Sequence, residues 1–126
     1  MVHAAALKHV PILEYNPFEA VKTNIIGTQN IVENAIDLKV KKAVLISSDK
    51  AVFPVNLYGA TKLVAEKMFV QANAYVGKGH TTLSVIRYGN VVASRGSVIP
   101  NFLEQSKNNS LTVTDEIMTR FSLTLE

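Results

Sequence analysis

The stretch Ala43-Val44-Leu45-Ile46-Ser47-Ser48-Asp49-Lys50, followed by Tyr58-Gly59-Ala60-Thr61-Lys62, decides the reading of this chain. An apolar run ends in two hydroxyls, an acid and a base. A helix-like segment then sets a Tyr and a Lys four residues apart. On a helix, positions i and i+4 share a face, so Tyr58 and Lys62 project together. An ammonium beside a phenol favours the phenolate, so Lys62 is expected to lower the pKa of Tyr58. That would make Tyr58 a base for an alcohol or sugar hydroxyl near neutral pH. Tyr-x-x-x-Lys alone recurs by chance. An upstream strand that ends in Ser gives it weight.

Working outward, short apolar runs alternate with long amphipathic ones, the pattern of parallel strands covered by helices. Asn16-Pro17-Phe18-Glu19 reads as a helix start, with Asn16 as N-cap, Pro17 at the first position and Glu19 three residues after the cap. That helix is expected to run to about Leu38, with Phe18, Val21, Ile25, Val32 and Ile36 on the buried face. Residues 43–47 read as a buried strand and 48–56 as a loop. Asn56 caps a second long helix to about Tyr75, with Leu57, Thr61, Val64, Ala65, Met68 and Ala72 inward. Gly77-Lys78-Gly79 ends it. Residues 81–87 read as another strand. Residues 90–97 form a loop of functional composition and 100–106 a short helix, with weaker strands at 111–114 and 120–123. One β-α-β-α-β unit accounts for residues 1 to about 90.

Composition bounds the function. The chain has 126 residues, 48% hydrophobic and 18% charged, an ordinary globular balance that suits one domain. It has no Cys, which removes disulfides and thiolate chemistry and is compatible with a reducing compartment. No stretch has the apolar length of a membrane span, and no signal peptide is visible. The net charge of +3 is mild, and its densest group, Lys39, Lys41 and Lys42, reads as a solvated turn rather than a nucleic-acid face. His3, His9 and His80 are scattered, with no metal-ligand spacing. No G-x-S-x-G elbow is present, and Gly77-Lys78-Gly79 lacks the spacing of a phosphate loop.

Further blocks run along the chain: His3-Ala4-Ala5-Ala6-Leu7-Lys8-His9-Val10-Pro11, Glu14-Tyr15-Asn16-Pro17, Lys22-Thr23-Asn24, Arg87-Tyr88-Gly89-Asn90-Val91, Ser94-Arg95-Gly96-Ser97-Val98 and Met118-Thr119-Arg120-Phe121. With the central stretch, they resemble the extended short-chain dehydrogenases/reductases, and within them the inverting UDP-N-acetylglucosamine 4,6-dehydratases of bacterial surface-sugar biosynthesis. The resemblance implies a partial Rossmann-like, doubly wound α/β fold. Residues 1–93 would be the C-terminal half of an NADP-binding domain, and 94–126 the start of a substrate domain. The chain has six Gly and no G-x-G-x-x-G, so it reads as the middle of a longer enzyme. The cofactor implied is NADP, with NAD as the other option, in a cytoplasmic homo-oligomer acting on a nucleotide sugar.

The same resemblance implies the site. Tyr58 deprotonates the hydroxyl at sugar carbon 4, and Lys62 holds the cofactor ribose and tunes Tyr58. Ser48 hydrogen-bonds the sugar near carbon 4. Lys50 is the base at carbon 5, and Asp49 donates a proton to the departing 6-hydroxyl. Ala4, Ala5 and Ala6 are small enough for the cofactor to approach closely. Lys8, Asn90 and Arg95 contact substrate, Arg95 by its fit to a diphosphate. Asn24 reads either as a structural side chain in its helix or as support for a proton relay. Each has a bland alternative: a Tyr packed on a Lys stem, a capping Asp beside a solvated Lys, strand-end serines, an exposed loop Arg. Two rival functions remain open, a nucleotide-sugar epimerase of the same superfamily and a non-catalytic remnant.

Overall fold

The computed structural model of the chain describes residues 1–77, 79–94 and 97–124. Contacts divide it into two compact units, Met1–Tyr88 and Gly89–Glu126. In the first unit, β1 (Val2–His3), β2 (Lys42–Ser48) and β3 (Thr82–Tyr88) form a parallel sheet in the order β1-β2-β3. Val2 lies beside Val44, Lys42 beside Thr82 and Ser48 beside Tyr88, so all three strands end on one edge. Parallel neighbours need crossovers, and helices supply both. The Rossmann-like α/β class is thus the fold observed.

The first crossover contains α1 (Val10–Tyr15), α2 (Pro17–Ala20), a π-helical turn (Val21–Ile26) and α3 (Gly27–Asp37). The last three run on without a break in helical backbone, matching the single helix expected from Pro17 to about Leu38. Two details differ. Asn16 does not cap with its side chain; it closes α1, and its Nδ2 donates to the Ile12 carbonyl at 2.8 Å. Glu19 pairs with Lys22 instead of reaching back. The buried face holds at Val32 and at Ile36, which packs against the core, and differs in its first half. Phe18 and Val21 are exposed, while Ala20, Asn24, Thr28, Val32 and Ala35 are buried. A π turn holds more residues per turn than an α-helix, so the four-residue spacing of Ala20, Asn24 and Thr28 stays on one face.

The second crossover is α4 (Leu57–Gln71) followed by α5 (Asn73–Val76). Asn56 caps α4 as expected, its side chain accepting from Gly59 N at 2.8 Å. Gly77, at φ +60°, closes α5; Lys78 lies outside the described residues. Of the inward positions expected, Thr61, Ala65 and Ala72 are buried and Val64 is exposed. Phe69, fully buried, was not among them. It packs with Val32, Ala35, Ala43, Leu45, Ala65, Ala72 and Leu83. The four alanines of that cluster leave the space its ring fills. Asn73 bonds the backbone of β3 on the side away from β2: its Nδ2 donates to Leu83 O and its Oδ1 accepts from Leu83 N.

In the second unit, β4 (Asn90–Val91) pairs in parallel with β5 (Ser122–Leu123), and α6 (Val98–Ser106) lies between them in sequence. The strand expected at 120–123 shortens to β5. That expected at 111–114 is irregular and exposed, with no partner strand among the described residues. Gly89 is required here, because a Cβ would collide with the Phe121 carbonyl oxygen.

Candidate active site

The carboxyl ends of parallel strands are where open α/β sheets bind ligands, since the connecting loops diverge there. In this chain β1 ends into Ala4, Ala5 and Ala6, β2 into Ser48, Asp49 and Lys50, and β3 at Tyr88. Ser48 is a hub. Its Oγ accepts from Lys50 N at 3.2 Å and donates to Asp49 Oδ1 at 3.0 Å. The first of these contacts caps a 3₁₀ turn over Asp49–Ala51, which turns the chain away from β2. Within that turn Lys50 Nζ lies 2.9 Å from Asp49 Oδ1, with both side chains about one-third exposed.

Gly59 lets this turn approach α4. A Cβ at that position would collide with the Lys50 carbonyl oxygen and lie 3.0 Å from Pro54 Cβ. Tyr58, one residue earlier, lies near enough to Ser48 for its hydroxyl to lower the phenol pKa. Burial holds the Asp49 carboxyl up, but its bonds to Lys50 and Ser48 outweigh this and leave it below the usual carboxylate range.

Tyr58 and Lys62 share the face of α4 as expected, and both are buried. The electrostatics differ from expectation. Burial pushes the Tyr58 phenol above its ordinary pKa, with Tyr88 and Asp49 adding to the rise and the Ser48 bond opposing it. Lys62 is not among the groups that shift Tyr58; its Nζ donates to the Ile46 carbonyl at 2.7 Å. Burial lowers the pKa of Lys62 itself, and Glu66 pulls it back up.

Asn24 sits in the π turn as a clamp. Its Oδ1 accepts from Leu7 N at 2.8 Å, and its Nδ2 donates to Leu7 O and to Thr61 Oγ1, both at 3.0 Å. Its own carbonyl accepts from Thr28 Oγ1 at 2.7 Å, and Thr28 in turn meets His3 Nε2 at 3.1 Å. The structural reading of Asn24 thus has a physical content: it ties the loop after β1 to α4.

Ala4 and Ala5 are exposed and Ala6 half-buried at the end of β1, leaving open backbone beside the site. Lys8 is exposed on the same loop. Asn90 lies half-buried in β4 of the second unit, and Arg95 lies outside the described residues. Among the described residues no group of His, Asp or Glu could hold a metal, and no helix is long and apolar enough to cross a membrane.

Sequence reasoning missed Gly59, and it missed Glu66 and Arg87. The Arg87 Nε donates to both oxygens of Glu66 at 2.9 and 3.1 Å, and its Nη2 to Oε2 at 2.6 Å. The signal was present: Tyr58, Lys62 and Glu66 recur every four residues.

Fold and site define a Rossmann-like α/β protein with an acid–base cluster at the carboxyl edge of its sheet. The chain belongs to the polysaccharide biosynthesis protein family, which it matches over residues 1–126. It is 54% identical over 128 residues to a UDP-N-acetylglucosamine 4,6-dehydratase (inverting) of Campylobacter jejuni, covering 100% of this chain and 38% of that protein. It is 49% identical over 124 residues to a UDP-glucose 4-epimerase of Rickettsia rickettsii, covering 98% and 36%. Among solved structures, Pen from Bacillus thuringiensis superposes with a TM-score of 0.91 at 55% identity, covering 98% of this chain and 40% of that one. A dTDP-glucose 4,6-dehydratase of Streptomyces venezuelae, solved with NAD and TYD, shares the fold at a TM-score of 0.84 and 21% identity, covering 98% and 43%. The chain thus spans less than two-fifths of the length of the two named enzymes it matches in sequence.

Proposed function

We propose that this chain carries the acid–base groups of an inverting UDP-N-acetylglucosamine 4,6-dehydratase. The observation that carries the reading is the hydrogen-bonded cluster of Ser48, Asp49 and Lys50 at the end of β2, with Tyr58 close enough for the Ser48 hydroxyl to act on its phenol. The 54% identity to the Campylobacter jejuni enzyme supports it. Residues 1–93 are read as the C-terminal half of the dinucleotide domain and 94–126 as the start of the substrate domain. The full-length protein is read as a homo-oligomer.

The residues present fit the nicotinamide–ribose end of a dinucleotide. The open small-residue loop after β1 admits its backbone, and Lys62 offers an ammonium for ribose hydroxyls. NADP is the cofactor proposed, and NAD is the one in the Streptomyces venezuelae structure. When bound, the dinucleotide supplies a reversible two-electron acceptor that is regenerated within each turnover.

The chain's own groups then divide the proton work. Burial holds Tyr58 as the phenol at rest; as the phenolate, a form that a positive charge brought next to it would favour, its Oη takes the proton of the sugar 4-hydroxyl while Ser48 orients that hydroxyl. The ketone formed at carbon 4 acidifies the carbon-5 proton, and Lys50 Nζ takes it. Asp49 gives a proton to the 6-hydroxyl, which departs as water. Asp49 and Lys50 rest as an ion pair, in the wrong protonation states for these roles. One proton shift across their 2.9 Å contact makes a neutral amine and a neutral acid together. Covering the pair with substrate favours that shift, because desolvation penalises the charged forms. The electron pair given up as hydride at carbon 4 would return as hydride to carbon 6 of the resulting 5,6-ene, and a proton added to carbon 5 from the opposite face inverts it. Lys8, Asn90 and Arg95 are the proposed substrate contacts.

Replacing Lys50 by Ala in the full-length protein should abolish solvent-deuterium exchange at carbon 5 while leaving dinucleotide binding intact. Persistent exchange would remove Lys50 from the role. A second reading, a 4-epimerase, is favoured by the 49% identity to the Rickettsia rickettsii enzyme. It uses Tyr58 and Lys62 but requires no water loss.

A further inference from the structure

Lys62 is an ammonium taken almost wholly out of water: the residue is 4% exposed, and its Nζ donates to a neutral carbonyl, that of Ile46. Burial of this kind favours the uncharged amine. The charges that reach it are Glu66 on its own helix and His3 on β1, with Tyr58 one turn away on the same helix face. Of these Glu66 is the anion, one helical turn from Lys62.

Glu66 is itself buried, its side chain 7% exposed, against 48% for Arg87. The guanidinium reaches in from the end of β3 and grips both carboxylate oxygens. Such a bidentate grip fixes the carboxylate in position as well as in charge. The arrangement is more than α4–β3 packing requires. Apolar side chains of similar size would join the two elements at least as stably, without desolvating a carboxylate. With its negative end buried and its positive end half-exposed, the pair keeps a carboxylate rather than a guanidinium on the inner side of α4.

We propose that Glu66, held by Arg87, is a positioning residue of the site: its carboxylate keeps the buried Lys62 ammonium charged and so sets the pH range over which Lys62 can serve a dinucleotide. Lys62 responds to Glu66 in the direction this requires, and the Glu66 carboxyl is itself held low by Arg87 against its burial. The inference rests on the reading of Lys62 as the dinucleotide-binding lysine.

The test follows the Lys62 side chain directly, by a ¹³Cε-lysine NMR titration of the full-length protein, with Lys62→Arg to assign the signal. Removing a carboxylate one turn away should lower the Lys62 midpoint by about one pH unit in Glu66→Gln. The alkaline limit of NAD or NADP binding, measured as Kd against pH, should move down by the same amount. A double variant, Glu66→Met with Arg87→Met, keeps an apolar contact between α4 and β3 and should shift Lys62 in the same direction. It decides the matter if Glu66→Gln does not fold. A lowered melting temperature with an unmoved Lys62 midpoint would make the pair a mere staple and overturn the proposal. A wild-type protein that binds neither dinucleotide, while Glu66→Gln still shifts Lys62, would instead sink the cofactor reading and leave the pair's role standing.

Discussion

At Gly59 the absence of a single carbon matters. The Asp49–Lys50 turn rests against the backbone of α4 where a Cβ would collide with the Lys50 carbonyl oxygen. Gly59→Ala should push the turn off the helix, separate Ser48 from Tyr58 and cost about 1–3 kcal/mol of stability, as overpacking does. Thermal denaturation and turnover of the full-length protein check this: a modest fall in melting temperature with a fall of tenfold or more in kcat is expected. Such a residue is hard to see in a sequence, because its importance lies in what approaches it. The helical spacing of Tyr58 and Lys62 was legible, being local. The engagement of Lys62 by Ile46 was not, because it depends on how α4 crosses β2. For the same reason the expected depression of the Tyr58 pKa did not appear: spacing shows which side chains share a face, and burial acts on them regardless.

The helix from Pro17 to Asp37 shows what an element adds. Its extent was legible from Pro17 and the apolar recurrence, as were Val32 and Ile36 on its buried face, but the first half of that face was not. An α-helical period puts Phe18 and Val21 inward, whereas the π turn keeps Ala20, Asn24 and Thr28 in line. The polar residues on that line are the informative ones. Asn24 bonds both backbone groups of Leu7 and the Thr61 hydroxyl, so the loop bearing Ala4 to Lys8 and the helix bearing Tyr58 are held as one piece. Asn24→Ala would leave those groups without partners, at a cost on the order of 2 kcal/mol. Amide hydrogen exchange should show Leu7 losing protection while the amides of β3 keep theirs. Equal loss in both would mean that the clamp is part of global stability rather than a local tie.

Across the whole molecule, the buried ionisable groups give stability a definite slope against pH. Asp49 and Glu66 titrate below their ordinary values in the folded chain. Their stabilisation is present above about pH 4 and is lost as pH falls through the folded values. His3 is pushed down by burial and by Lys62, so folding gains stability as pH rises toward about 6.5. Lys62 is also lowered, which favours the folded state as pH rises toward about 10. Tyr58 is raised, and its contribution is lost as pH rises beyond about 10. The melting temperature of the full-length protein should therefore climb from pH 4 to a maximum on the alkaline side of neutrality, then fall above pH 10. A maximum below pH 6 would contradict these assignments.

At this scale the parallel α/β plan was legible because strand and helix periods alternate cleanly through residue 88. The second unit was less so. Its strands are two residues each, too short for any periodicity, and residues 111–114 have strand-like composition without a partner to pair with among the described residues.

The central claim is that this site removes water from a nucleotide sugar with inversion at carbon 5. The most direct test is incubation of the full-length protein with UDP-N-acetylglucosamine and NADP or NAD in deuterium oxide, with the product read by NMR. A 4-keto-6-deoxy sugar, inverted at carbon 5 and carrying deuterium there, is the expected product. A 4-epimer that keeps its 6-hydroxyl and its carbon-5 proton would contradict it and favour the epimerase reading.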